Sequence, residues 1–237
     1  MCGRFVLNAE AKKLAREFAI EKGHDRLAKM KPRFNITPGS GVGVVYEDMH
    51  TTARSFDFFQ WGLVPSWAKD VSISQNLSNA RIETVFEKPT FRDAYRYRRC
   101  IVPATGFYEW DRRTKPRQPY YFYPQSGATM GFAGIWEHWL HPDGSEILSV
   151  TLMTRDGNED ISHIHHRMPV ILEEQHWNDW LDVRRQKPEH IQAALSLKPV
   201  GSLCNHPVAT DVNDARTDCS DLVLPIQPPE DPQLELF

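Results

Sequence analysis

The stretch that decides the fold is Met130-Gly131-Phe132-Ala133-Gly134-Ile135-Trp136-Glu137-His138-Trp139, followed after a short polar break by Ile147-Leu148-Ser149-Val150-Thr151-Leu152-Met153-Thr154. Both runs are dense in β-branched and aromatic residues, which pack well on a pleated surface, so both read as strands. Working outward, the same composition recurs in Val42 to Tyr46, Phe56 to Val64, Cys100 to Trp110 and Tyr120 to Tyr123. Helical periodicity is confined to the flanks. From Asn8, read as a cap, to Phe18, the apolar residues Ala11, Leu14, Ala15 and Phe18 recur at three and four positions. Glu173 to Val183 and Glu189 to Leu195, the latter behind Pro188, read as two later helices. Strands that cluster without alternating with helices predict an α+β fold, with a mostly antiparallel β-sheet or partial barrel core flanked by helices. Pro32 to Gly39 reads as irregular chain, because proline lacks an N–H and restricts the residue before it. With no internal repeat or linker, residues 1–224 are expected to form one domain. The proline-rich, acidic residues 225–237 are expected to lie outside its core.

A chain of 237 residues, 41% hydrophobic, can bury a substantial core. No basic segment precedes a long apolar run and no stretch approaches 18 apolar residues, so neither export nor membrane insertion is expected and the expected location is cytoplasmic. Cys2, Cys100, Cys204 and Cys219 are too scattered for a disulfide framework. No metal or other cofactor is expected. There is no Cys-x-x-Cys, and the run His163, His165, His166 lacks a second half. The formal net charge is −3. Between Phe91 and Arg117, however, Arg92, Arg96, Arg98, Arg99, Arg112, Arg113, Lys115 and Arg117 face only Asp93, Glu109 and Asp111. Such a run is either a solvated face or a phosphate-binding surface.

Four places carry chemistry. Removal of Met1 would leave Cys2 with both a free α-amine and a thiol, two nucleophiles that titrate within reach of neutral pH. Toward an aldehyde the amine can form an imine and the thiol can then close a five-membered thiazolidine. An incidental cysteine is the ordinary alternative. In Asn79-Ala80-Arg81-Ile82-Glu83 an extended backbone would set Asn79, Arg81 and Glu83 on one face, as would an exposed edge strand. In Gly106-Phe107-Tyr108-Glu109-Trp110 a carboxyl stands among aromatics, where desolvation would raise its pKa and suit a general acid; a surface glutamate beside half-buried rings is the alternative. His163 to Pro169 sets histidines beside Arg167, as a proton-exchanging group near neutral pH or as a polar loop.

Taken together these segments resemble the SRAP-domain family, the SOS response-associated peptidases. Seven blocks carry the resemblance in family order: Met1 to Phe5, Arg33 to Gly39, Trp61 to Trp67, Asn79 to Thr84, Arg99 to Trp110, Ile164 to Pro169 and His206 to Val208. The resemblance implies an abasic-site sensor whose N-terminal cysteine forms a stable covalent crosslink with single-stranded DNA. The Cys2 amine would attack C1′ of the ring-opened deoxyribose and the thiol would close the ring. Asn79 would position the nucleophile, Glu109 would transfer protons, and His165 would assist ring opening and reversal. Arg4, Arg81 and Arg167 would contact phosphates, and Trp67 and Pro38 would pack on bases. The implied partner is single-stranded DNA with abasic sites, preferentially at junctions with duplex, with the protein nucleoid-associated when bound. A lyase side activity is compatible with this chemistry. The chain departs from the family at His166, where relatives commonly have Asp, and at Asp211, in place of a basic or hydroxyl residue. Two alternatives stay open: a thiol peptidase using Cys2 and His165, and a non-catalytic single-strand DNA-binding module.

Overall fold

The structure is a computed structural model that describes residues 3–47, 52–141, 143–195 and 203–226. Cys2 therefore lies outside the described residues, as do residues 227–237 of the expected tail. The strands are β1 (Phe5–Leu7), β2 (Arg33–Ile36), β3 (Gly41–Glu47), β4 (Arg54–Trp61), β5 (Asn79–Arg81), β6 (Arg99–Ala104) and β7 (Gly106–Asp111). They continue with β8 (Gln118–Pro124), β9 (Met130–Leu140), β10 (Glu146–Asp156), β11 (Arg167–Pro169), β12 (Ile171–Leu172) and β13 (Leu203–Pro207). The helices are α1 (Ala11–Glu17), α2 (His24–Leu27), α3 (Arg92–Tyr97), α4 (Trp177–Leu181) and α5 (Pro188–Leu195), and among the described residues none is long and apolar enough to cross a membrane.

The two runs that decided the sequence reading, β9 and β10, form the longest antiparallel pair, from Glu146↔Leu140 to Leu152↔Gly134. Around them β10, β4, β3, β6 and β9 close into a five-stranded barrel in which the β4–β10 contact alone is parallel. Closure leaves no free edge on the ring. The second sheet, in the order β13-β8-β7-β1-β2, is antiparallel throughout. It lays one face on the barrel, where Phe5 meets Trp61 edge-on at 5.2 Å and Phe132 at 5.9 Å, and Phe107 meets Phe132 at 6.0 Å. Each such ring removed from water contributes about 1.5–3 kcal/mol. The α+β architecture with a barrel core is as expected.

Several boundaries differ from the sequence reading. Cys100 to Trp110 is two strands, not one: the chain leaves the barrel at Thr105, whose N–H donates to Val6 O at 2.8 Å, and Gly106 starts the second sheet. A Cβ at Gly106 would sit 2.2 Å from the Tyr121 ring, so only glycine allows that close crossing. Arg33 to Ile36 is a strand although it lies in the stretch read as irregular. Pro32 and Pro38 flank the ladder with β1 without interrupting it. The helix expected from Asn8 starts at Ala11 behind Glu10, with Leu14 and Phe18 buried as predicted. β4 ends at Trp61 because Gly62 adopts φ +130°. The segment from Glu173 begins as a 3₁₀ turn and becomes α4, where Trp177 stacks on Phe18 at 4.3 Å.

Two polar devices fix the periphery. Arg99, fully buried, donates to the carbonyls of Trp180 (2.6 Å), Tyr95 (3.2 Å), Arg96 (2.8 Å), Asp182 (2.6 Å) and Arg185 (3.1 Å), joining the C-terminal ends of α3 and α4. Helix C-termini present unsatisfied carbonyls, and a guanidinium meets both their hydrogen-bonding need and their negative potential. Burial holds its pKa down to about 10, so it stays charged at neutral pH. The segment after β13 folds over the outer face of the second sheet, burying Val208, Val212 and Leu222 against Val6, Tyr108 and Tyr121. Pro225 bridges Val208 and Ile226 N donates to Pro207 O at 3.0 Å, so the first residues of the expected tail are still tied to the sheet.

Candidate active site

β7 carries Glu109, and β1 sets what lies beside it. The register Phe5↔Phe107, with Tyr108 N donating to Arg4 O at 3.0 Å, points the chain preceding Arg4 along β7 toward Glu109. Glu109 faces the barrel with Phe107, by the alternation of a strand, and is 2% exposed. From the barrel side comes His165, which precedes β11 and is 3% exposed; its Nδ1 lies 3.7 Å from Glu109 Oε1. The ring is held by the backbone of Arg167, with Nδ1 3.0 Å from its N–H and 2.9 Å from its carbonyl oxygen. One buried acid–base pair thus joins the two sheets.

Burial acts on the partners in opposite directions. It disfavours the charged carboxylate, pushing Glu109 up to about 7, and it disfavours imidazolium, pulling His165 down to about 4. The exposed Arg112, three residues past Glu109, opposes burial at the carboxyl and reinforces it at the imidazole. Near pH 7 the pair is a half-protonated carboxyl beside a neutral imidazole. Of the two, Glu109 is the group that titrates near neutrality, as its place among aromatics led one to expect, and His165 does not.

β10 gathers the remaining residues. β5 runs parallel to it, with Asn79 opposite Leu152 and Arg81 opposite Thr154; Asn79 is half-buried, with Nδ2 3.3 Å from Ser78 Oγ, and Arg81 is exposed. β11 pairs with the same end of β10, Arg167 opposite Asp156. Arg167 is 5% exposed, and its guanidinium grips Glu83 in a two-point contact (2.7 and 3.0 Å), Asp156 at 2.7 Å and Thr154 O at 2.7 Å. Arg4 is engaged as well: it donates to Asn35 Oδ1 (3.1 Å) and to the carbonyls of Val212 and Asn213, and its guanidinium lies 5.9 Å over the Trp110 ring. Trp67 is 60% exposed on a turn closed by Ala68 N to Pro65 O and anchored by Trp139 Nε1 to Ala68 O at 2.8 Å. Pro38 is exposed on the turn between β2 and β3. His163 and His166 are exposed, the latter ring 4.6 Å from that of His165, and the described residues contain no cluster suited to a metal ion.

Sequence reasoning missed two participants. Arg112 was one charge in a long run with nothing to single it out. Asn35, 1% exposed, donates to the carbonyls of Asp214 (3.0 Å), Thr217 (2.7 Å) and Val212 (3.3 Å), tying the Arg4 side of the site to the C-terminal segment. Its place in the block Arg33 to Gly39 was the available signal.

A barrel joined to a second sheet by a buried carboxyl–imidazole pair, set against the first strand of the chain, defines an acid–base site built around an N-terminal segment. The sequence profile of the SOS response associated peptidase (SRAP) family matches residues 1–215, and the chain belongs to that family. It is 33% identical to the abasic site processing protein YoqW of Bacillus subtilis over 224 residues, covering 94% of this chain and 99% of that protein. It is 32% identical to the abasic site processing protein HMCES of Gallus gallus over 265 residues, covering 96% and 78%. An X-ray crystal structure of a Bacteroides thetaiotaomicron protein superposes with a TM-score of 0.82 at 25% identity, covering 95% of this chain and all of that one.

Proposed function

We propose that this protein processes abasic sites in single-stranded DNA by forming a thiazolidine crosslink through Cys2, shielding the damaged site in the cytoplasm and at the nucleoid. The observation that carries the reading is the buried Glu109–His165 pair, with Glu109 titrating at about 7, on the side from which the chain enters the N-terminal strand. The relatives named for abasic-site processing supply the substrate class. Once Met1 is removed, the Cys2 amine adds to the C1′ aldehyde, and protonated Glu109 gives its proton to the carbinolamine hydroxyl, which leaves as water. The iminium nitrogen returns a proton to the Glu109 carboxylate, and the thiol sulfur then bonds to the imine carbon as the S–H bond breaks and its proton passes to the imine nitrogen. One water is released overall. Asn79 orients without titrating, and neutral His165 assists opening of the sugar ring and reversal.

Exposed Arg81 supplies phosphate contact, and Trp67 and Pro38 offer stacking surfaces for unpaired bases near a duplex junction. Arg4 and Arg167 reach phosphates only by exchanging the protein oxygens they now hold, so their first role is to shape the site.

The test is a denaturing gel with abasic single-stranded DNA and three proteins: wild type, Cys2→Ala, and a form with one residue added before Cys2. A heat-stable shifted band for wild type alone is expected, with an intact mass lacking Met1 and, for the adduct, the DNA mass less one water. Equal crosslinking by Cys2→Ala would end the thiazolidine reading. DNA binding by all three without any crosslink would favour a binding module, and peptide cleavage in trans without crosslinking would favour a thiol peptidase.

A further inference from the structure

The turn that carries Pro38 stands beside a cavity of about 250 Å³, lined on one side by Ile36 and on the other by Gly41. Its rim is basic. Lys29, Lys31 and Arg33 line it, and no carboxylate does. Arg33 is held by Asp218, whereas Lys29 and Lys31 are exposed and form no ion pair among the described residues. One wall is Phe58, 39% exposed, fixed edge-on against Phe56 at 5.4 Å. The floor is β3 backbone, because Gly41 and Gly43 fall on the same face. Gly43 is explained by packing, since a Cβ there would meet the Phe56 ring at 2.8 Å, but a Cβ at Gly41 would meet nothing within 4 Å. Neither packing nor a left-handed backbone requires glycine at 41, and its effect is to keep the cavity open.

We propose that this cavity is a second nucleic-acid subsite, taking one unpaired nucleotide of the strand that carries the abasic site, with its base against Phe58 and its phosphates on Lys29 and Lys31. The proposal rests on the DNA reading above. The cavity volume falls just below the range of about 300–1,000 Å³ for drug-sized ligands, which suits one nucleotide and not two. A base face is apolar and stacks on an exposed ring without regard to sequence, and the backbone is polyanionic, so wall and rim match the two halves of a nucleotide. The first site is near: the buried Trp61 links the two, its Nε1 donating to Ser78 O at 2.8 Å, next to Asn79, and its carbonyl oxygen accepting from Gly39 N at 2.7 Å, two residues before Gly41. The larger clefts lack this chemistry. In the cleft lined by Arg54, Arg184 and Arg185 each guanidinium is already paired with a carboxylate of the same cleft, Glu47, Asp182 and Asp179 respectively, and in the cleft beside Tyr121 and Tyr123 the Lys13 ammonium is already bound to Gly127 O at 3.2 Å.

The experiment is fluorescence anisotropy with single strands carrying an unreactive tetrahydrofuran at the abasic position, so that no crosslink forms, and a second tetrahydrofuran spacer placed in turn at each flanking position. Wild type is compared with Gly41→Val, which fills the cavity, and with the double variant Lys29→Ala, Lys31→Ala; circular dichroism verifies folding. At one flanking position the spacer is expected to weaken wild-type binding about tenfold. The same spacer should leave Gly41→Val, already weakened, unchanged. The lysine variant should lower the salt slope by about 1.4, two phosphates at 0.7 each. If no position is sensitive, or if Gly41→Val binds like wild type and keeps the spacer effect, the subsite does not exist. If free thymidine monophosphate displaces the strand at equal concentration, the cavity is a mononucleotide site and the strand assignment is wrong. Wild-type crosslinking on the denaturing gel separates these outcomes from failure of the DNA reading, which would abolish crosslinking and strand binding together.

Discussion

Replacing Glu109 by Gln removes the ionisation that burial opposes while keeping the volume, so its effect on stability must depend on pH. Below pH 4 the carboxyl is protonated in folded and unfolded chains alike and the substitution should be nearly neutral. As pH rises from the carboxyl's ordinary 4.5 to about 7, the unfolded chain releases the proton and the folded protein keeps it, so wild-type stability falls. At about 1.4 kcal/mol per pH unit the loss reaches about 3 kcal/mol and is constant above pH 7. Because Glu109 is almost wholly buried, solvent screening does not reduce this figure. His165 acts with the opposite sign over nearly the same window. Its pKa falls from 6.5 to about 4, so stability rises with pH between those values, by about 3 kcal/mol as well. The two slopes offset each other in wild type. Urea denaturation from pH 4 to 8 should therefore show a nearly flat wild-type contribution from this pair. Glu109→Gln should instead climb up to about pH 6.5 and end about 3 kcal/mol above wild type at pH 8. A variant that is equally destabilised at every pH would refute the raised pKa and, with it, the assignment of Glu109 as the group that exchanges protons near neutrality.

Asn35→Ala strands three carbonyls and the Arg4 guanidinium it accepts from, at a cost of about 2–4 kcal/mol; the urea midpoint should fall and amide exchange should accelerate across residues 210–218. Arg99→Lys keeps the charge but cannot reach five carbonyls from two helix ends with three donors. Melting should drop by about 5–10 °C in a thermal scan. Gly106→Ala drives a Cβ into the Tyr121 ring and should cost about 1–3 kcal/mol, part of which Tyr121→Leu restores if the clash is the cause.

Much of the barrel was legible because a strand's composition is a local signal: β3, β4, β9 and β10, and β8 of the second sheet, fall within or close to the runs read from β-branched and aromatic residues. What closes the barrel was not legible. The parallel contact Ser149↔Gln60 joins distant segments with nothing in either run to announce it, and the departure of the chain from barrel to second sheet at Thr105 lies inside one continuous strand-like run. Charge was the least legible feature. Within the basic run from Phe91 to Arg117, Arg99 is fully buried on backbone carbonyls, Arg98 is paired with Glu137, Arg113 with Asp111, and Arg112 stands exposed near the acid–base pair. Adjacent arginines of identical chemistry take opposite roles because burial is decided by tertiary packing, which a count of charges does not contain.

The same reasoning separates the titrations of Glu109 and His165. Ordinary pKa values make histidine the natural exchanger at neutral pH and glutamate a spent base, and that ordering holds wherever both groups see water. Enclosing them 3.7 Å apart reverses it, since desolvation penalises whichever form is charged and those forms are opposite in the two groups. Carbinolamine dehydration needs an acid that is still protonated when an N-terminal amine has begun to lose its own proton. A carboxyl titrating at about 7 meets that requirement, and an imidazole titrating at about 4 does not. In the proposed mechanism His165, fixed by the Arg167 backbone, then serves as a neutral hydrogen-bonding group at the sugar. The pH dependence of crosslinking should then follow one ionisation near 7 that disappears in Glu109→Gln. A profile governed by a group near 4, or unchanged in that variant, would take the proton transfer from Glu109 and give it to the histidine.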